Sequence, residues 1–309
     1  MRPLLVLGSI NADLYVEIDR LPKPGETISG HDCAVRPGGK GANQAAAAAK
    51  LGQLTRFAGR LGSDAFATPL RAELRAVGAD DTLLTTVPGP TGQAYILLQH
   101  GGENSIIVAP GANSVWQGID ATLTAAIQQA GALLLQREVP EEINLAAARI
   151  AQAAGVPVVL DAGGSYDGPL PAELLPCLTV CSPNETELSR LTGLPTADEA
   201  QVLAAARALQ QRGVGTVLVK LGARGCLLVR PDGSTLSQGV FRVPVVDTTG
   251  AGDCFTGAFT VALLRNLPEA ERLRFACAAA GICVQRKGAM PSMPTAAEVA
   301  AFLTDPNHV

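Results

Sequence analysis

The chain has 309 residues and a formal net charge of −4; 47% of its residues are hydrophobic and 4% are aromatic. This length permits two domains or one large α/β domain, and the acidic balance argues against a nucleic-acid partner, because no basic excess is available to neutralise phosphates. No apolar run approaches the roughly 18–20 residues that span a bilayer, and the run ending at Gly8 is too short for a signal peptide, so we expect a cytoplasmic protein without a membrane partner.

Short apolar runs alternate with amphipathic segments along the chain, as is typical of βαβ units. The predicted strands are Leu4–Gly8, Thr55–Gly59, Ala132–Leu135, Val156–Asp161, Leu178–Cys181, Thr216–Lys220, Cys226–Arg230 and the apolar run Val243–Val246. The predicted helices are Ala42–Leu51, Ala65–Val77, Ala121–Gln129, Glu141–Ala154, a segment from Asn184, Ala197–Arg212, Gly252–Arg265, Glu269–Arg286 and Ala296–Leu303. The alternation predicts an α/β fold with a central, mostly parallel sheet and helices on both faces.

Two segments break this alternation, Asp13–Val35 and Gln93–Ala109, which contain β-rich stretches punctuated by Pro and Gly. We predict that they are antiparallel excursions from the sheet edge that form a small β-sheet lid, about residues 12–36 and 92–109, within a single α/β domain spanning 1–309. The apolar face of such a lid is expected to cover a ligand or to pair with a second subunit.

The seven cysteines are odd in number and include no C-x-x-C spacing, and none of the three histidines lies near them at metal-ligand spacing. We interpret the cysteines as small buried hydrophobes. The sequence therefore indicates neither a disulfide framework nor a transition-metal site.

Polar side chains follow the first strand in Gly8–Asp13, where open α/β sheets bind ligands. In an extended chain Asn11 and Asp13 face the same way, and an amide beside a carboxylate suits vicinal hydroxyls. An Asx turn is an equally good interpretation of these two residues alone. After the strand Ala132–Leu135, Glu138 has a similar position, and it either binds a hydroxyl or caps the helix that begins near Glu141.

A glycine-rich segment, Gly38–Gln44, opens the first helix. Its glycines allow backbone to approach a ligand, Asn43 is expected to face that ligand, and Lys40 is able to offset phosphate charge. The segment is not a Walker A loop, because G-x-x-x-x-G-K-[ST] is absent.

Two further segments combine a strand end with polar or glycine residues. In Ser182–Glu187, Asn184 and Glu187 lie three apart at a helix start, where they either orient waters around Mg²⁺ or form a capping box. In Lys220–Gly225, a strand meets a glycine-rich turn that either receives the phosphates or ribose of a nucleotide or is a plain hairpin turn.

The most informative segment is Asp247–Cys254, which reads Asp-Thr-Thr-Gly-Ala-Gly-Asp-Cys between an apolar run and a predicted helix. Free N–H groups and the helix dipole make this helix start an anion site. The carboxylate of Asp253 in the first turn is able to accept a proton beside that anion. An anion hole with an adjacent base is what phosphoryl transfer to a hydroxyl requires.

Together these segments resemble the PfkB family of sugar and nucleoside kinases over nearly the whole chain. The form GGKGANQA from Gly38 is similar to the family's first signature, and DTTGAGD at 247–253 is similar to its second. With GSINAD at 8–13, the first segment resembles in particular the members that phosphorylate ribose, which implies ATP-dependent transfer to O5 of D-ribose.

The resemblance implies a role for each matching position. The sugar would be held by Asn11, Asp13, Gly39, Lys40, Asn43 and Glu138, with Asp253 as base and Gly250, Ala251 and Gly252 as anion hole. The ATP site would comprise Asn184, Lys220, Gly222, Gly225, Gly252 and Cys277, with Glu187 acting on Mg²⁺ through water. A monovalent cation, K⁺, would lie among Asp247, Thr249, Cys283, Arg286, Gly288 and Ser292, mostly on backbone carbonyls, and the lid would mediate a homodimer.

Two positions depart from the family pattern. Asp161–Ser165 stands where many of the similar proteins carry Asn-Pro-Ala-Pro-Ala, and Cys277 stands where an Asn or His often lies near adenine. The resemblance implies that the first position lies near the phosphates, so it bears on nucleotide preference, and neither position belongs to the sugar-contacting set.

Other functions fit less of the sequence. A fructokinase, a deoxyribose kinase or a nucleoside kinase of the same family is the nearest alternative, although the few aromatic residues offer little surface to stack a base. A regulator without turnover would be expected to lack the base, and Asp253 is present. A dehydrogenase is disfavoured, because Gly8–Asn11 after the first strand is not a dinucleotide turn.

Overall fold

The computed structural model describes residues 2–99, 104–166 and 168–305. The strands are β1 Leu4–Leu7, β2 Asn11–Ile18, β3 Asp32–Gly38, β4 Thr55–Leu61, β5 Asp80–Thr86, β6 Gly92–Gln99, β7 Asn104–Ala109, β8 Ala132–Arg137, β9 Val158–Gly164, β10 Val180–Ser182, β11 Thr216–Lys220, β12 Cys226–Val229 and β13 Thr235–Gln238. The helices are α1 Lys40–Lys50, α2 Ala67–Ala76, α3 Ala121–Gln129, α4 Glu141–Ala153, α5 Glu185–Thr192, α6 Glu199–Gln211, α7 Ala251–Leu264, α8 Glu269–Cys283 and α9 Ala296–Thr304.

The large sheet has the strand order β13-β12-β11-β10-β9-β8-β1-β4-β5. Neighbouring strands are parallel from β5 to β11, and only the last two pairings, β11–β12 and β12–β13, are antiparallel. The carboxyl ends of the parallel strands therefore share one edge, which is where sheets of this kind bind ligands.

The alternation of side chains along β1 connects the sheet to two hydrophobic layers. Leu4 and Val6 pack in the layer that contains α1, α7 and α8. Leu5 and Leu7 pack in the layer that contains α3, α4 and α6. Because both faces are covered, β1 is apolar at every position, and the predicted α/β fold class is confirmed.

The second sheet has four strands in the order β3-β2-β6-β7. Both of its hairpins, β2–β3 and β6–β7, are antiparallel as predicted, but they are joined through a parallel pairing of β2 with β6. Part of the second predicted lid segment, residues 100–103, lies outside the described residues. Within the described part of the chain, no helix combines the length and the apolar character that a membrane crossing requires.

The prediction of a strand at Val243–Val246 was wrong. This segment has no sheet partner in the described structure; Pro244 lacks a backbone donor, and Val245 and Val246 are 63% and 55% exposed. Two edge strands, β5 and β13, were missed because their outward residues are polar and their apolar alternation is short. The other predicted helix and strand limits differ from the observed ones by at most three residues.

Candidate active site

Helix α7 begins at a turn that carries no side-chain cap in the described structure. Its N-cap residue, Gly250, has a φ of 76°, a left-handed conformation that favours glycine. Ala251 donates its N–H to the carbonyl of Thr248 at 3.2 Å. The N–H groups of the following residues, Gly252 and Asp253, remain available to an anion at the positive end of the helix dipole.

The carboxylate of Asp253 is buried and is held by side chains of α1. Asn43 donates its Nδ2 to Oδ2 at 2.9 Å, and Gln44 donates its Nε2 to Oδ1 at 3.1 Å. The ammonium of Lys40 lies 3.7 Å from Oδ1. Asp253 raises the pKa of Lys40 more than burial lowers it, so this lysine is a permanent cation beside the carboxylate.

A polar cavity of about 300 Å³ opens between α1, the start of α7 and the second sheet. The residues predicted to contact the sugar all line it, together with Gly250 and Thr249 of the loop before α7. The predicted residues are Asn11, Asp13, Gly39, Lys40, Asn43, Glu138 and Asp253. Apolar side chains of the second sheet, including Ala94, Ile96 and Val108, form the opposite wall.

Asp13 is pressed against the backbone at the start of α1. A Cβ atom on Gly38 would lie 2.0 Å from Asp13 Oδ2, so glycine is required at position 38. Asp13 Oδ1 is buried without a hydrogen-bond partner in the described structure. Burial, and then the charges of Glu138 and Asp253, raise the pKa of Asp13 to about 7. This carboxyl oxygen is therefore an acceptor that a ligand hydroxyl is able to satisfy.

The contacts of Asn11 and Glu138 decide between ligand binding and the purely structural interpretation given for each residue. Asn11 and Asp13 lie within β2 and face one cavity, so the Asx turn was wrong. Glu138 Oε2 accepts from Ser9 Oγ at 2.5 Å and from the Lys40 N–H at 3.0 Å. The helix that follows, α4, has Pro140 at its N-cap and no side-chain cap, so the capping interpretation of Glu138 was also wrong.

A second cavity of about 500 Å³ meets the first at the loop before α7. Five residues predicted for the nucleotide line it, namely Lys220, Gly222, Gly225, Gly252 and Cys277. Its walls are mainly apolar and include the unpaired segment Val240–Val245 that was predicted in part as a strand. Thr248 lines both cavities, so the turn that precedes α7 separates them.

Lys220 is held at the inner end of the larger cavity by Asp161. Its ammonium donates to Asp161 Oδ2 at 2.8 Å, and the Thr256 hydroxyl donates to the same oxygen at 2.6 Å. Burial opposes the charge on Asp161, but the ammonium groups of Lys220 and Lys40 outweigh it and lower the pKa of that carboxyl. A Cβ atom on Gly252 would lie 3.8 Å from the Lys220 ammonium, which places this charge beside the start of α7.

Asn184 and Glu187 form the capping box of α5. Asn184 Oδ1 accepts from the Glu187 N–H at 2.8 Å, and Glu187 Oε2 accepts from the Asn184 N–H at 2.7 Å. Neither residue lines the larger cavity among the described lining residues. Glu187 nevertheless approaches Lys40, because a Cβ atom on Gly163 would lie 2.9 Å from Glu187 Oε1 and from the Lys40 ammonium.

The residues predicted for a monovalent cation lie on two segments that hydrogen bonds tie together. Asp247 accepts from the Thr249 N–H at 2.9 Å and from the Gly288 N–H at 2.8 Å. Cys283 Sγ lies 2.9 Å from Ser292 Oγ, and Arg286 pairs with Glu298 at 2.6 Å. Burial raises the pKa of Asp247, but hydrogen bonds from Gly288 and Thr249 outweigh burial and lower this pKa.

The segment Lys220–Gly225 meets both interpretations given for it. It is a hairpin connection, as the plainer interpretation stated, and it also lines the larger cavity. Sequence reasoning noticed Asp161 only as a departure, although its position at the end of a buried strand was a usable signal. Asn113, which donates to Asn11 Oδ1 at 2.7 Å, gave no signal, because its partner lies 102 residues away. Among the described residues, no group of three or more His, Cys, Asp or Glu is suited to a metal ion.

The chain was compared with known proteins. It matches the model of the pfkB family of carbohydrate kinases over residues 1–296. A ribokinase of Arabidopsis thaliana is 49% identical over 97% of this chain and 81% of that protein, and a ribokinase of Haemophilus influenzae is 41% identical over 98% of both.

The fold was compared in the same way. A solved structure of Arabidopsis thaliana ribokinase complexed with ribose and ATP has a TM-score of 0.94 and 47% sequence identity, covering 98% of this chain and 99% of that one. The relatives of this chain are sugar kinases. Its fold places two adjoining cavities beside the uncapped start of α7 and beside Asp253. The chain belongs to the PfkB family of carbohydrate kinases.

Proposed function

We propose that this protein transfers the γ-phosphoryl group of ATP to O5 of D-ribose, giving D-ribose 5-phosphate and ADP. The observation that carries this proposal is the position of Asp253, which lines the small polar cavity while its neighbours Ala251 and Gly252 line the larger one. A carboxylate between an acceptor site and a donor site matches the requirement for phosphoryl transfer to an alcohol.

In this proposal ribose occupies the cavity of about 300 Å³. Its hydroxyls donate to Asp13, whose Oδ1 has no hydrogen-bond partner among the described residues, and to Glu138. Asn11 and Asn43 donate or accept as each hydroxyl requires. Lys40 and the backbone of Gly39 complete the contacts at the start of α1.

The phosphoryl donor occupies the cavity of about 500 Å³ with its γ-phosphate at the start of α7. Asp253 accepts the proton of the 5-hydroxyl while O5 forms its bond to the γ-phosphorus and the bond to the oxygen of ADP breaks. The free N–H groups of Gly252 and Asp253 and the Lys220 ammonium stabilise the charge on the phosphoryl oxygens, whereas the Ala251 N–H is engaged by the Thr248 carbonyl.

Mg²⁺ is the metal that would suit Glu187, whose Oε1 lies near the Lys40 ammonium, since a Cβ atom on Gly163 would be 2.9 Å from both. The carboxylate of Glu187, acting through water, supplies the hard oxygen chemistry that Mg²⁺ prefers, and the ion retains much of its water shell. When bound, it neutralises charge on the β- and γ-phosphates. Asn184 orients the Glu187 carboxylate by donating its Nδ2 to Oε1 at 2.9 Å.

We extend the proposal to a K⁺ ion on the segments that carry Asp247 and Gly288. Oxygen donors suit such an ion, namely the Asp247 carboxylate and backbone carbonyls of Thr249, Cys283, Arg286, Gly288 and Ser292. The Arg286 side chain is engaged by Glu298, so only its backbone would take part. The ion would order the loop before α7 without contacting the sugar.

The relatives support the choice of ribose, since those compared above are ribokinases and the solved relative binds ribose and ATP. Another family member's acceptor, such as fructose, a deoxysugar or a nucleoside, is the alternative. Among the described lining residues, the polar cavity has one aromatic ring, that of Tyr15, and Arg36 lies 4.9 Å from its centre. A base therefore finds little free stacking surface, which favours a small polyol.

The same proposal includes the domain organisation of the chain and its oligomeric state. Residues 1–309 act as one domain, in which the second sheet, from segments 12–36 and 92–109, closes over the sugar and excludes water. Val35, Tyr95 and Ile107 of this sheet are exposed, and this apolar surface supports a homodimer formed through the lid. A cytoplasmic location and the lack of a nucleic-acid partner remain predictions from composition.

A substrate panel tests the function. Purified protein is assayed with ribose, deoxyribose, fructose and adenosine, each with ATP and Mg²⁺, with and without K⁺, and the phosphorylated position is identified by NMR. The proposal predicts the highest kcat/KM for ribose, a 5-phosphate product and stimulation by K⁺. A higher kcat/KM for any other acceptor contradicts the assignment of ribose, and indifference to K⁺ contradicts the cation site.

A further inference from the structure

A chain of buried amides runs from the base into the protein interior. Gln44 of α1 donates its Nε2 to Asp253 Oδ1 at 3.1 Å, and Gln136 of β8 donates its Nε2 to Gln44 Oε1 at 2.7 Å. Both glutamines are 0% exposed, and neither lines the described cavities. Their contact with Asp253 therefore concerns the base and no ligand.

The direction of this chain follows from the chemistry of its members. An ionised carboxylate only accepts hydrogen bonds, so Gln44 must turn its NH₂ group towards Asp253. Its oxygen then faces the other way and needs a donor, which Gln136 supplies. Gln136 thus fixes the amide orientation of Gln44, and Gln44 fixes the rotation of the carboxylate.

The surrounding backbone holds Gln136 in place. A Cβ atom on Gly8 would lie 2.0 Å from Gln136 Oε1, so only glycine leaves room for this side chain. Asn144 of α4 donates its Nδ2 to the backbone carbonyl of Gln136 at 2.8 Å. Gln136 Oε1 itself is buried without a hydrogen-bond partner in the described structure. A buried, unpaired amide oxygen is unfavourable for folding and offsets part of the stability that the hydrogen bond to Gln44 contributes.

We propose that Gln44 and Gln136 are positioning residues that align the carboxylate of Asp253 with the acceptor hydroxyl. Asn43 holds the other carboxylate oxygen and also lines the sugar cavity, so it has a share in binding. Gln44 and Gln136 act on the base alone. This inference rests on the proposed role of Asp253, but it does not depend on which sugar accepts the phosphoryl group.

The test uses near-isosteric variants that remove the amides and keep the volume. Gln44→Met, Gln136→Met and the double variant are compared with Gln53→Met. Gln53 is a matched control, because it is also buried, has an unpaired Oε1 and donates only to backbone carbonyls far from the site. Each variant is assayed for kcat and for the KM of the sugar, using the best acceptor of the panel.

The proposal predicts that Gln44→Met lowers kcat by about tenfold, the equivalent of a hydrogen bond to a charged group, and that Gln136→Met lowers it by about threefold. The KM for the sugar stays within about twofold, because neither residue contacts substrate. The double variant is no worse than Gln44→Met, because Gln136 acts through Gln44.

Several results would overturn the inference. The first is a kcat of Gln136→Met equal to that of wild type. The second is a loss of kcat in Gln44→Met no larger than that in Gln53→Met, and the third is a double variant in which the two losses of kcat multiply. Gln136→Asn, which shortens the side chain and breaks the same contact, takes its place if Gln136→Met does not fold. If another sugar reacts and ribose does not, the assignment of ribose is wrong. The positioning role of Gln44 and Gln136 is then tested with the sugar that reacts.

Discussion

The two cavities that meet at the start of α7 present different chemistry to their ligands. The smaller one is lined by three carboxylates and a lysine, those of Asp13, Glu138, Asp253 and Lys40. Among the described residues that line the larger one, only Lys220 and Arg242 are charged, and most of the others are apolar or glycine. Under the proposed function, the smaller site binds sugar hydroxyls through buried charged groups, whereas the larger site binds the nucleotide through apolar contact area and through charge at the phosphate end. A single polar change should therefore cost more at the smaller site.

The largest effect is expected at the residue between the cavities. Asp253→Asn keeps the shape and the contact with Asn43 but removes the proton acceptor, so kcat should fall by about 10²–10⁴. Ribose binding, measured by calorimetry, should persist. A kcat near that of wild type would remove Asp253 from the role of base.

On the sugar side, Asp13→Asn should raise the KM for ribose by about 10- to 100-fold, because a hydrogen bond to a buried charge is lost. The KM for ATP should stay within about twofold, since Asp13 does not line the larger cavity. Steady-state kinetics with each substrate varied in turn checks both. Equal changes in the two KM values would contradict the separation of the sites.

The nucleotide side gives the reciprocal test. Lys220→Met should raise the KM for ATP by about tenfold, because it removes a charge-assisted contact and leaves the Asp161 carboxylate facing the phosphates. The double variant Lys220→Met/Asp161→Asn removes both charges and should recover part of that loss. The KM for ribose should not change in either variant. A double variant that is worse than the single one would show that Asp161 does more than hold Lys220.

The last prediction, similar in size to that for Lys220→Met, concerns pH and sharpens the same contrast. Since burial, Glu138 and Asp253 raise the pKa of Asp13 to about 7, and since hydroxyls donate to the charged form, ribose binding should strengthen as pH rises through 7. The Kd for ribose should fall by about tenfold from pH 6 to pH 8, the consequence of losing one proton. Calorimetry on wild type and Asp13→Asn checks this, and the same slope in the variant would exclude Asp13 as the titrating group.

The sequence was sufficient for features that depend on local patterns. The alternation of apolar runs predicted the parallel sheet, and the glycine-rich segments predicted helix starts at Ala42 and Gly252, within two residues of the observed starts at Lys40 and Ala251. It failed where partners are distant in the chain. Asn113 reaches Asn11 across 102 residues, and Gln136 reaches Gln44 across 92. It also failed at Val243–Val246, where apolar residues line a cavity and do not pair in a sheet, because composition does not distinguish these two environments.

The most direct test of the central claim is a crystal structure of the protein with ribose and a non-hydrolysable ATP analogue. We predict that O5 of ribose lies about 2.6–3.2 Å from an Asp253 carboxylate oxygen, the distance needed for proton transfer, with the γ-phosphorus on its other side at the start of α7. Ribose bound with a different hydroxyl at Asp253, or a γ-phosphate away from Gly252, would contradict it.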